Sequence, residues 1–575
     1  MCAPNGLAGT QDRGRDACSW PVVVVVVVVV GGVVPLLVAS HYGALGIPRS
    51  DDWSYLVSLF RWVDHGRLGF NHWAATPLIG QLVLAAPVAL IFGRSVEAVH
   101  VLSAAVGVVG LLAVVLAGRV VVSPRAALLV ALTIAVSPLW MPLAPTFMTD
   151  HWAWAAEMLA LACALWSFRR TPFSVGWLVA SVALGFFAVT IRQYALVGVA
   201  AVLVAAFVDA RVRLDRRRVR IVLVLGVLFV VATAVLLVWW SQRPGVENLA
   251  PRRPELPQLN ATIKTSLGYL RLLGLLLVPV VVLAGPVRIV RSAWRASRAG
   301  SLVLGGGVGA ALVLDYVRAP EIPFVGNYVA RSGVLGHDVL RGPRPDVVPA
   351  LIFDAMVWIG TASLVLILLR AVPTLVRAPD RVRARSWPDA TTLVLGANIA
   401  GFAIVTVGTV LVHLRGFDRY LLPVLPVVAL AVLRRRMGEE PPPLTAQRLV
   451  GPLVAVALLG LVGLAFSAES ASFDATRWEV ARLATRAGYT PRQVDGGFEW
   501  VAWHREEGPP YGPKLDPAER ARQLRAFEAP FCVRVAMVGD RLPRALVARA
   551  TSHAPSRPTL TIVAYPLPGK CPDRE

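Results

Sequence analysis

Two adjacent carboxylates, Asp51 and Asp52, follow the first long apolar segment of the chain. They belong to the run Arg49 to Tyr55 (RSDDWSY), which comes soon after a valine-rich stretch at residues 20–40. Neighbouring carboxylates raise each other's pKa, and both prefer water to the edge of a membrane. The pair therefore either takes part in chemistry or solvates a loop, where an Asp also suits the N-cap of a following helix.

Other polar residues able to work with this pair lie between later apolar segments. The short loop PTFMTDH brings Asp150 to the start of an apolar segment, where Asp is also a favoured helix cap. Arg192 and Gln193 fall where two apolar segments meet, and Arg419 and Tyr420 precede a late one. An Arg in such a position either binds an anion through its planar fork of N–H groups or extends to the lipid headgroups.

The composition predicts that these residues are carried by a polytopic α-helical membrane protein. The 575-residue chain is 56% hydrophobic and has a mean hydropathy of +0.63. Apolar runs of about 20 residues, enough to cross a bilayer, recur from residue 20 to residue 467. The net charge of +22 comes almost wholly from Arg, and much of this Arg clusters in short loops between the apolar runs. That distribution is typical of the positive-inside rule and does not favour nucleic-acid binding.

Six Arg-rich loops set the predicted topology. They lie at residues 119–125, 169–170, 211–220, 288–298, 377–385 and 434–436. Two apolar segments fit between successive loops, which predicts spans at 98–118, 126–143, 152–168, 173–190, 193–208, 221–240, 265–285, 301–315, 350–370, 390–412, 420–433 and 449–467. With a first span at 20–40 the bundle has about 13 transmembrane helices, a cytoplasmic tail at 1–19 and an outer C-terminus. Hydropathy does not decide whether residues 76–93, which contain two prolines, span the membrane or lie along its outer surface.

Residues 468–575 differ from the membrane domain at 20–467 and predict a small extracytoplasmic α/β domain. Their patterns indicate helices at 474–487 and 516–527 and strands at 531–538 and 559–565. Cys532 and Cys571 are its two cysteines, and an oxidising location permits a disulfide between them. The run DGGFEW at 495–500 combines turn residues with aromatics and is a candidate contact for an acceptor.

The order of the polar motifs resembles that of the GT-C membrane glycosyltransferases, the superfamily of protein O-mannosyltransferases and the lipid A aminoarabinose transferase. Asp51, Asp52 and Tyr55 are similar to an acidic pair and tyrosine in the first outer loop of such enzymes, here within residues 41–97. The segment 72–93 resembles their juxtamembrane helix, and Asp150 their second acidic motif. The resemblance implies that residues 76–93 lie on the outer surface, so that both acidic loops share a side.

The resemblance further implies transfer of a sugar from a polyprenyl-phosphate donor to a hydroxyl acceptor on the outer face of the cytoplasmic membrane. The acceptor would be a cell-envelope glycan, lipid or protein. Such transfer needs a base for the acceptor's proton, and this role falls on Asp51, with Asp52 as the second candidate. Asp52 or Asp150 would orient the acceptor or a cation.

The departing phosphate needs cationic donors, for which Arg192 and Arg419 are the candidates. Four further residues are candidate substrate contacts: Tyr55, His72, Gln193 and Tyr420. We find no nucleotide-binding or zinc motif, and no metal ligand is assigned, although a divalent cation stays open. The alternative function is a transporter or flippase of a lipid-linked envelope precursor, which would carry charged residues near the bilayer midplane and inverted repeats. A catalytically idle scaffold is a third hypothesis.

Overall fold

The computed structural model describes residues 19–71, 73–74, 76–243, 256–320, 323–335, 339–383, 388–412, 416–434, 445–506, 531–538 and 545–567. Within these residues the chain is mostly helical and ends in a small sheet. The helices are α1 (Trp20–His41), α2 (Asp52–His65), α3 (Ile79–Phe92), α4 (Val96–Val121), α5 (Pro124–Ala135), α6 (Thr149–Phe168), α7 (Val175–Val189), α8 (Leu196–Val212), α9 (Arg216–Ser241), α10 (Leu256–Leu276), α11 (Val278–Ala284), α12 (Pro286–Ala296), α13 (Arg298–Arg318), α14 (Ala350–Val376), α15 (Ala390–Leu411), α16 (Val424–Leu433), α17 (Ala446–Arg486) and α18 (Phe498–Arg505).

Short helical turns lie between these elements, at Trp140–Leu143, Gln193–Ala195, Ala378–Arg383, Asp418–Leu421 and Pro491–Gln493. The strands are β1 (Val494–Asp495), β2 (Val533–Met537), β3 (Ala548–Ala554) and β4 (Arg557–Pro566). They form one sheet in the order β1-β2-β4-β3, in which only the β1–β2 pair is parallel.

Eight helices of the described chain are long and apolar enough to cross a membrane, and the pair α10–α11, bent by 59°, makes a ninth candidate. The protein is therefore a multi-pass helical membrane protein. Three shorter apolar helices (α5, α7 and α16) and the largely buried α6 pack among them. Counting these four as crossings would give the predicted thirteen, and that number stays a prediction.

Helix α1 shows why a run of valines becomes a helix here. β-Branched residues generally favour strands, but inside a bilayer every backbone group of a lone segment must be hydrogen-bonded within it. Gly31 and Gly32 lie in a π-helical turn of α1 and allow α4 to approach closely. A Cβ atom on Gly31 would lie 2.3 Å from Leu111 Cδ1.

Several predicted spans differ in length from the observed helices, and the one predicted at 126–143 is helical only in α5 (Pro124–Ala135) and the short turn Trp140–Leu143. The segment predicted at 301–315 belongs to α13, which runs for 21 residues from Arg298 to Arg318. The segment predicted at 420–433 becomes helical only at Val424, because Asp418–Leu421 forms a 3₁₀ turn before it. Since α16 is buried along most of its length, it is surrounded by other helices of the protein.

Helix α17 continues for 41 residues through position 468, where the sequence predicted a domain boundary. Its C-terminal part coincides with the helix predicted at 474–487, and strands β2 and β4 lie where strands were predicted. Strand β3 was not predicted, and the helix predicted at 516–527 lies outside the described residues. Cys532 is in a disulfide, whereas its predicted partner Cys571 also lies outside the described residues.

Buried ion pairs fasten the C-terminal part of α17 to the loops around it. Arg344 contacts Glu469 at 2.8 Å, and Arg49 contacts Asp474 at 2.9 Å. All four side chains are almost fully buried, so removal of either partner leaves a costly unpaired charge. Because Arg49 lies only two residues before Asp51, α17 helps to position the loop that carries the acidic pair.

Candidate active site

Asp52 is completely buried and holds the first outer loop in place. Its carboxylate accepts hydrogen bonds from the backbone N–H groups of Arg49 (2.6 Å) and Phe147 (3.3 Å) and contacts His100 Nε2 at 3.0 Å. The other ring nitrogen of His100 lies 2.8 Å from the carbonyl oxygen of Leu45, which can only accept, so Nδ1 carries a proton. Asp52 therefore links the loop before α2, helix α4 and the loop that contains Phe147.

Asp51 is the accessible member of the acidic pair, with 25% of its side chain exposed. One carboxylate oxygen accepts a hydrogen bond from Trp73 Nε1 at 2.8 Å, and the other lies 3.2 Å from Arg419 Nη2. Asp51 does occupy the N-cap position of α2, but its side chain makes no capping hydrogen bond. The carboxylate thus points toward the other charged groups of the site.

Asp150 lies in the first turn of α6 and is fully buried. Its Oδ2 atom accepts a hydrogen bond from Arg192 Nη1 at 2.8 Å and lies 3.4 Å from Arg419 Nε. The N-cap of α6 is Met148, so Asp150 is not the capping residue. A carboxylate in the first helical turn also gains from the helix dipole.

Arg192 reaches its position because α7 ends at Val189 and the 3₁₀ turn starting at Gln193 redirects the chain. Besides Asp150, its guanidinium donates to Thr149 Oγ1 at 2.7 Å and to the Tyr420 hydroxyl at 3.2 Å. It also lies 5.1 Å from the centre of the Tyr420 ring, within range of a cation–π contact.

Arg419 brings the two acidic loops together. Its guanidinium contacts Asp51 at 3.2 Å and Asp150 at 3.4 Å, and donates to Asn327 Oδ1 at 3.0 Å. The side chain is only 4% exposed. Residues separated by more than 350 positions in the chain therefore meet in one site, as the resemblance implied for Asp51 and Asp150.

Asp418 explains how the loop with Arg419 is held. Its buried carboxylate accepts backbone hydrogen bonds from Tyr328 at 2.5 Å and Val329 at 2.8 Å. These bonds fix the loop after α13 against the 3₁₀ turn at Asp418–Leu421 and bring Asn327 to Arg419. Asp418 was not among the predicted site residues, because only the folded chain shows which backbone groups it meets.

The predicted substrate contacts divide into three cases. Tyr55 is buried one helical turn after Asp51, and burial together with the Asp51 charge raises the pKa of its hydroxyl well above the usual value. It therefore stays neutral and able to donate a hydrogen bond. Tyr420 contacts Arg192. Gln193 follows Arg192 in the chain and is half-buried in the 3₁₀ turn after α7. His72 lies outside the described residues.

The meeting of Asp51 and Asp150 bears on the segment at 76–93. An even number of membrane crossings must separate two residues that lie on the same side. Helix α3, which forms most of this segment, has 14 residues and spans about 21 Å, but α5, counted above among the possible crossings, is shorter still at 12 residues. A position of residues 76–93 on the outer surface, as the resemblance implies, therefore stays a prediction.

Besides Asp418, three residues of the site were not candidates in the sequence analysis: Trp73, Thr149 and Asn327. Trp73 belongs to the loop after α2, and its indole N–H reaches back over 22 residues to Asp51. Thr149 precedes Asp150 and shares Arg192 with it. Thr149 could have been found from the sequence, because it is a polar residue directly before a predicted site carboxylate. The positions of Trp73 and Asn327 depend on loop geometry and give no such signal.

The carboxylates of this site do not fit a resident divalent cation. Within the described part of the chain, no three His, Cys, Asp or Glu side chains are grouped as metal ligands. Asp51 and Asp150 are each paired with a guanidinium, at 3.2 Å and 2.8 Å, which a cation would have to displace. The cation that the sequence left open therefore has no ligand set among these residues.

The arrangement joins two buried guanidinium groups to one accessible carboxylate. Arg groups bind phosphate oxygens in pairs through their planar N–H forks. A partly exposed carboxylate next to them can accept a proton from a nearby hydroxyl. Arg residues of the described turns lie at helix ends opposite the site: Asp150 starts α6 and Arg169 follows its other end, and Arg419 precedes α16 while Arg434 follows it.

Comparison with known proteins gives similar structures but no similar sequence. No protein-family profile matches this chain, and no curated protein is significantly similar to it in sequence. ArnT from Cupriavidus metallidurans bound to undecaprenyl phosphate is 16% identical, with a TM-score of 0.39, over 96% of this chain and 99% of that one. The archaeal oligosaccharyltransferase AglB from Archaeoglobus fulgidus, in complex with an inhibitory peptide and a dolichol-phosphate, is 15% identical, with a TM-score of 0.43, over 90% of this chain and 70% of that one.

Proposed function

We propose that this protein is a membrane glycosyltransferase that moves a sugar from a polyprenyl-phosphate donor to a hydroxyl acceptor. The observation that carries the proposal is the bridge made by Arg419 between Asp51 and Asp150, with Arg192 on the other side of Asp150. This places an accessible carboxylate next to two guanidinium groups. A lipid-linked phosphate and an attacking hydroxyl need that combination at one point.

In the proposed reaction Asp51 takes the proton of the acceptor hydroxyl as its oxygen attacks the anomeric carbon of the donor sugar. The bond between that carbon and the phosphate oxygen breaks, and the polyprenyl phosphate leaves with the electron pair. The configuration at the anomeric carbon is inverted, because one displacement occurs with one base. Arg192 and Arg419 stabilise the negative charge that develops on the departing phosphate.

Asp52 and Asp150 act as positioning residues in this proposal. Asp52 is enclosed by donors from three segments, which makes it a poor partner for an acceptor. Asp150 lies between Arg192 and Arg419, so its charge holds both guanidinium groups at one end of the site. Fixed groups that need no rearrangement during the reaction stabilise a transition state most effectively.

The proposed location of the site is the outer face of the cytoplasmic membrane. Supporting this, the Arg-rich turns lie at the opposite ends of the helices, and such turns stay in the cytoplasm. Soluble nucleotide sugars are made in the cytoplasm, so an outer site takes its sugar from a lipid carrier. The acceptor is then a hydroxyl-bearing component of the cell envelope.

A strain with Asp51→Asn in its only copy of the protein tests the proposal against transport of a lipid-linked precursor. We expect the envelope glycan to lose one sugar component, as measured by composition and linkage analysis. Asp64→Asn is the matched control, because Asp64 lies on the same helix α2 in an exposed pair with Arg94, away from the charged site. An unaltered glycan in the Asp51→Asn strain contradicts sugar transfer by this protein and favours a transporter.

A further inference from the structure

A group of aromatic side chains lies directly beside Asp51. Trp73 donates its indole N–H to Asp51, and its ring lies 4.7 Å from that of Phe498 at an angle of 50°. Trp53, the residue after the acidic pair, contacts the same Phe498 ring edge-on at 5.8 Å. Trp53 is fully buried, whereas Trp73 and Phe498 are only partly buried. Aromatic surface therefore remains accessible next to the accessible carboxylate.

The C-terminal domain contributes Phe498 through a tightly constrained turn. Gly497, with φ at +93°, precedes α18, and a Cβ atom there would lie 3.2 Å from Arg477 Nη1. A Cβ atom on Gly496 would lie 2.6 Å from the Trp500 ring. The two glycines let the start of α18 pack closely, and the neighbouring Glu499 is held by Arg477 at 2.9 Å. Phe498 is thus held in a fixed position by the packing of the turn before it and of the start of α18.

The aromatic contacts continue along α2 away from Asp51. Phe60 contacts Trp503 of α18 at 6.4 Å, and Arg61 pairs with Glu506 at 3.2 Å where both side chains are partly exposed. Arg61 lies about 15 Å from the start of α2 along the helix axis. The packing between α2 and α18 therefore has the charged site at one end, the buried Phe60 ring along its length and a partly exposed polar pair at the other end.

We propose that the acceptor is a carbohydrate, bound across Trp73 and Phe498 with one hydroxyl at Asp51; this rests on the function proposed above. The C–H groups on one face of a sugar ring carry slight positive charge, and the face of an aromatic ring is negative. The hydroxyls at the edge of the sugar ring need hydrogen-bond partners, and the charged side chains beside the aromatic rings can supply them. A purely apolar ligand would make no use of those charged side chains. An aromatic surface bounded by a carboxylate and by an Arg–Glu pair meets both needs.

Binding of soluble probes to the full chain in lipid nanodiscs tests this inference without sugar transfer. Saturation-transfer NMR would be recorded with maltose and mannobiose as saccharide probes and with the tripeptide Gly-Ser-Gly as a hydroxyl-bearing peptide. We expect saturation at the ring C–H protons of at least one disaccharide, and none at the tripeptide. Phe498→Leu and Trp73→Leu should each weaken that binding by about 2- to 12-fold, the usual value of one aromatic contact.

Two further variants separate aromatic stacking from other effects. Trp73→Phe keeps an aromatic face but removes the hydrogen bond to Asp51, so saccharide binding should stay near that of the wild type. Trp177→Leu is the matched control, since Trp177 is a partly exposed tryptophan on α7, at the end away from the site. Absence of disaccharide binding to the wild type, binding of the tripeptide alone, or unchanged binding in both leucine variants would overturn the inference.

This test and the test of transfer fail in different ways. Transfer of sugar to a non-saccharide acceptor, without disaccharide binding, overturns the acceptor class alone. Disaccharide binding that depends on Phe498, in a protein that consumes no lipid-linked donor, contradicts the proposed transfer and leaves the saccharide site in place.

Discussion

The two adjacent carboxylates differ so much in surroundings that Asn substitutions should affect them in opposite ways. Asp51 is partly exposed, and its two contacts are to Trp73 and Arg419. Asn at this position keeps an acceptor for Trp73, and the buried Arg419 keeps its contacts with Asp150 and Asn327. Folding should therefore be nearly unchanged, while loss of a general base lowers the transfer rate by about 10²–10⁴-fold.

Asp52→Asn should do the reverse. The carboxylate accepts from two backbone N–H groups and from His100 inside a fully buried site. The amide nitrogen of Asn cannot accept, so at least one buried N–H donor loses its partner. Leaving a buried donor without a partner costs roughly 1–3 kcal/mol of stability. We expect a lower melting temperature and yield, with a much smaller loss of rate per folded molecule.

The assay follows label from a polyprenyl-phosphate sugar to acceptor with purified protein, and unfolding is measured on the same preparations. The rate is divided by the folded fraction, so that stability and chemistry are reported separately. A folded Asp51→Asn protein that transfers sugar at the wild-type rate would refute the role of Asp51. A stable, well-folded Asp52→Asn protein without activity would indicate that Asp52 is the general base.

Three other substitutions test further parts of the account. Arg192→Lys keeps a positive charge but loses the fork of N–H groups, so the KM for the donor should rise roughly 10-fold or more while the protein still folds; an unchanged KM would remove Arg192 from phosphate binding. Gly274→Ala places a Cβ atom 2.0 Å from the Gly360 carbonyl oxygen and should lower the melting temperature, through an overpacking cost of about 1–3 kcal/mol. Gly226→Ala is the control, because its Cβ atom meets nothing within 4 Å and should leave the melting temperature unchanged. Equal melting temperatures of the two variants would refute close packing of α10 on α14. Burial raises the pKa of Glu499 from 4.5 to about 7, so the folded state binds its proton more tightly than the unfolded one, and stability should fall as pH rises from about 4.5 to 7. Glu499→Gln should flatten that slope in pH-dependent melting, and a slope unchanged by the substitution would contradict the buried, protonated carboxyl.

Much of the helical framework follows from hydropathy and Arg distribution, because a lone segment in a bilayer has few structures open to it. Helix α9 extends from Arg216 to Ser241 around the span predicted at 221–240. The exceptions have local physical causes. Helix α17 continues past its apolar part because charged residues there form buried pairs, Asp474 with Arg49 of the loop before α2 and Arg477 with Glu499 of the C-terminal domain.

The composition of the site was less predictable than the framework. Short motifs placed Asp51, Asp150, Arg192 and Arg419 among the candidates, and the fold brings all four together. The different environments of Asp51 and Asp52 were not predictable, because burial of Asp52 depends on a backbone N–H group 95 residues away. Long-range contacts of this kind leave no periodic signal in the sequence.

The most direct measurement is the fate of a doubly labelled donor. Purified protein in nanodiscs would be given polyprenyl-phosphate sugars carrying one label on the sugar and another on the lipid phosphate, together with a saccharide acceptor. The proposed reaction predicts equal amounts of glycosylated acceptor and free polyprenyl phosphate, with the anomeric configuration inverted. If the wild-type protein cleaves none of the hexose or pentose donors, so that both labels remain on the same molecule, the proposed reaction is contradicted.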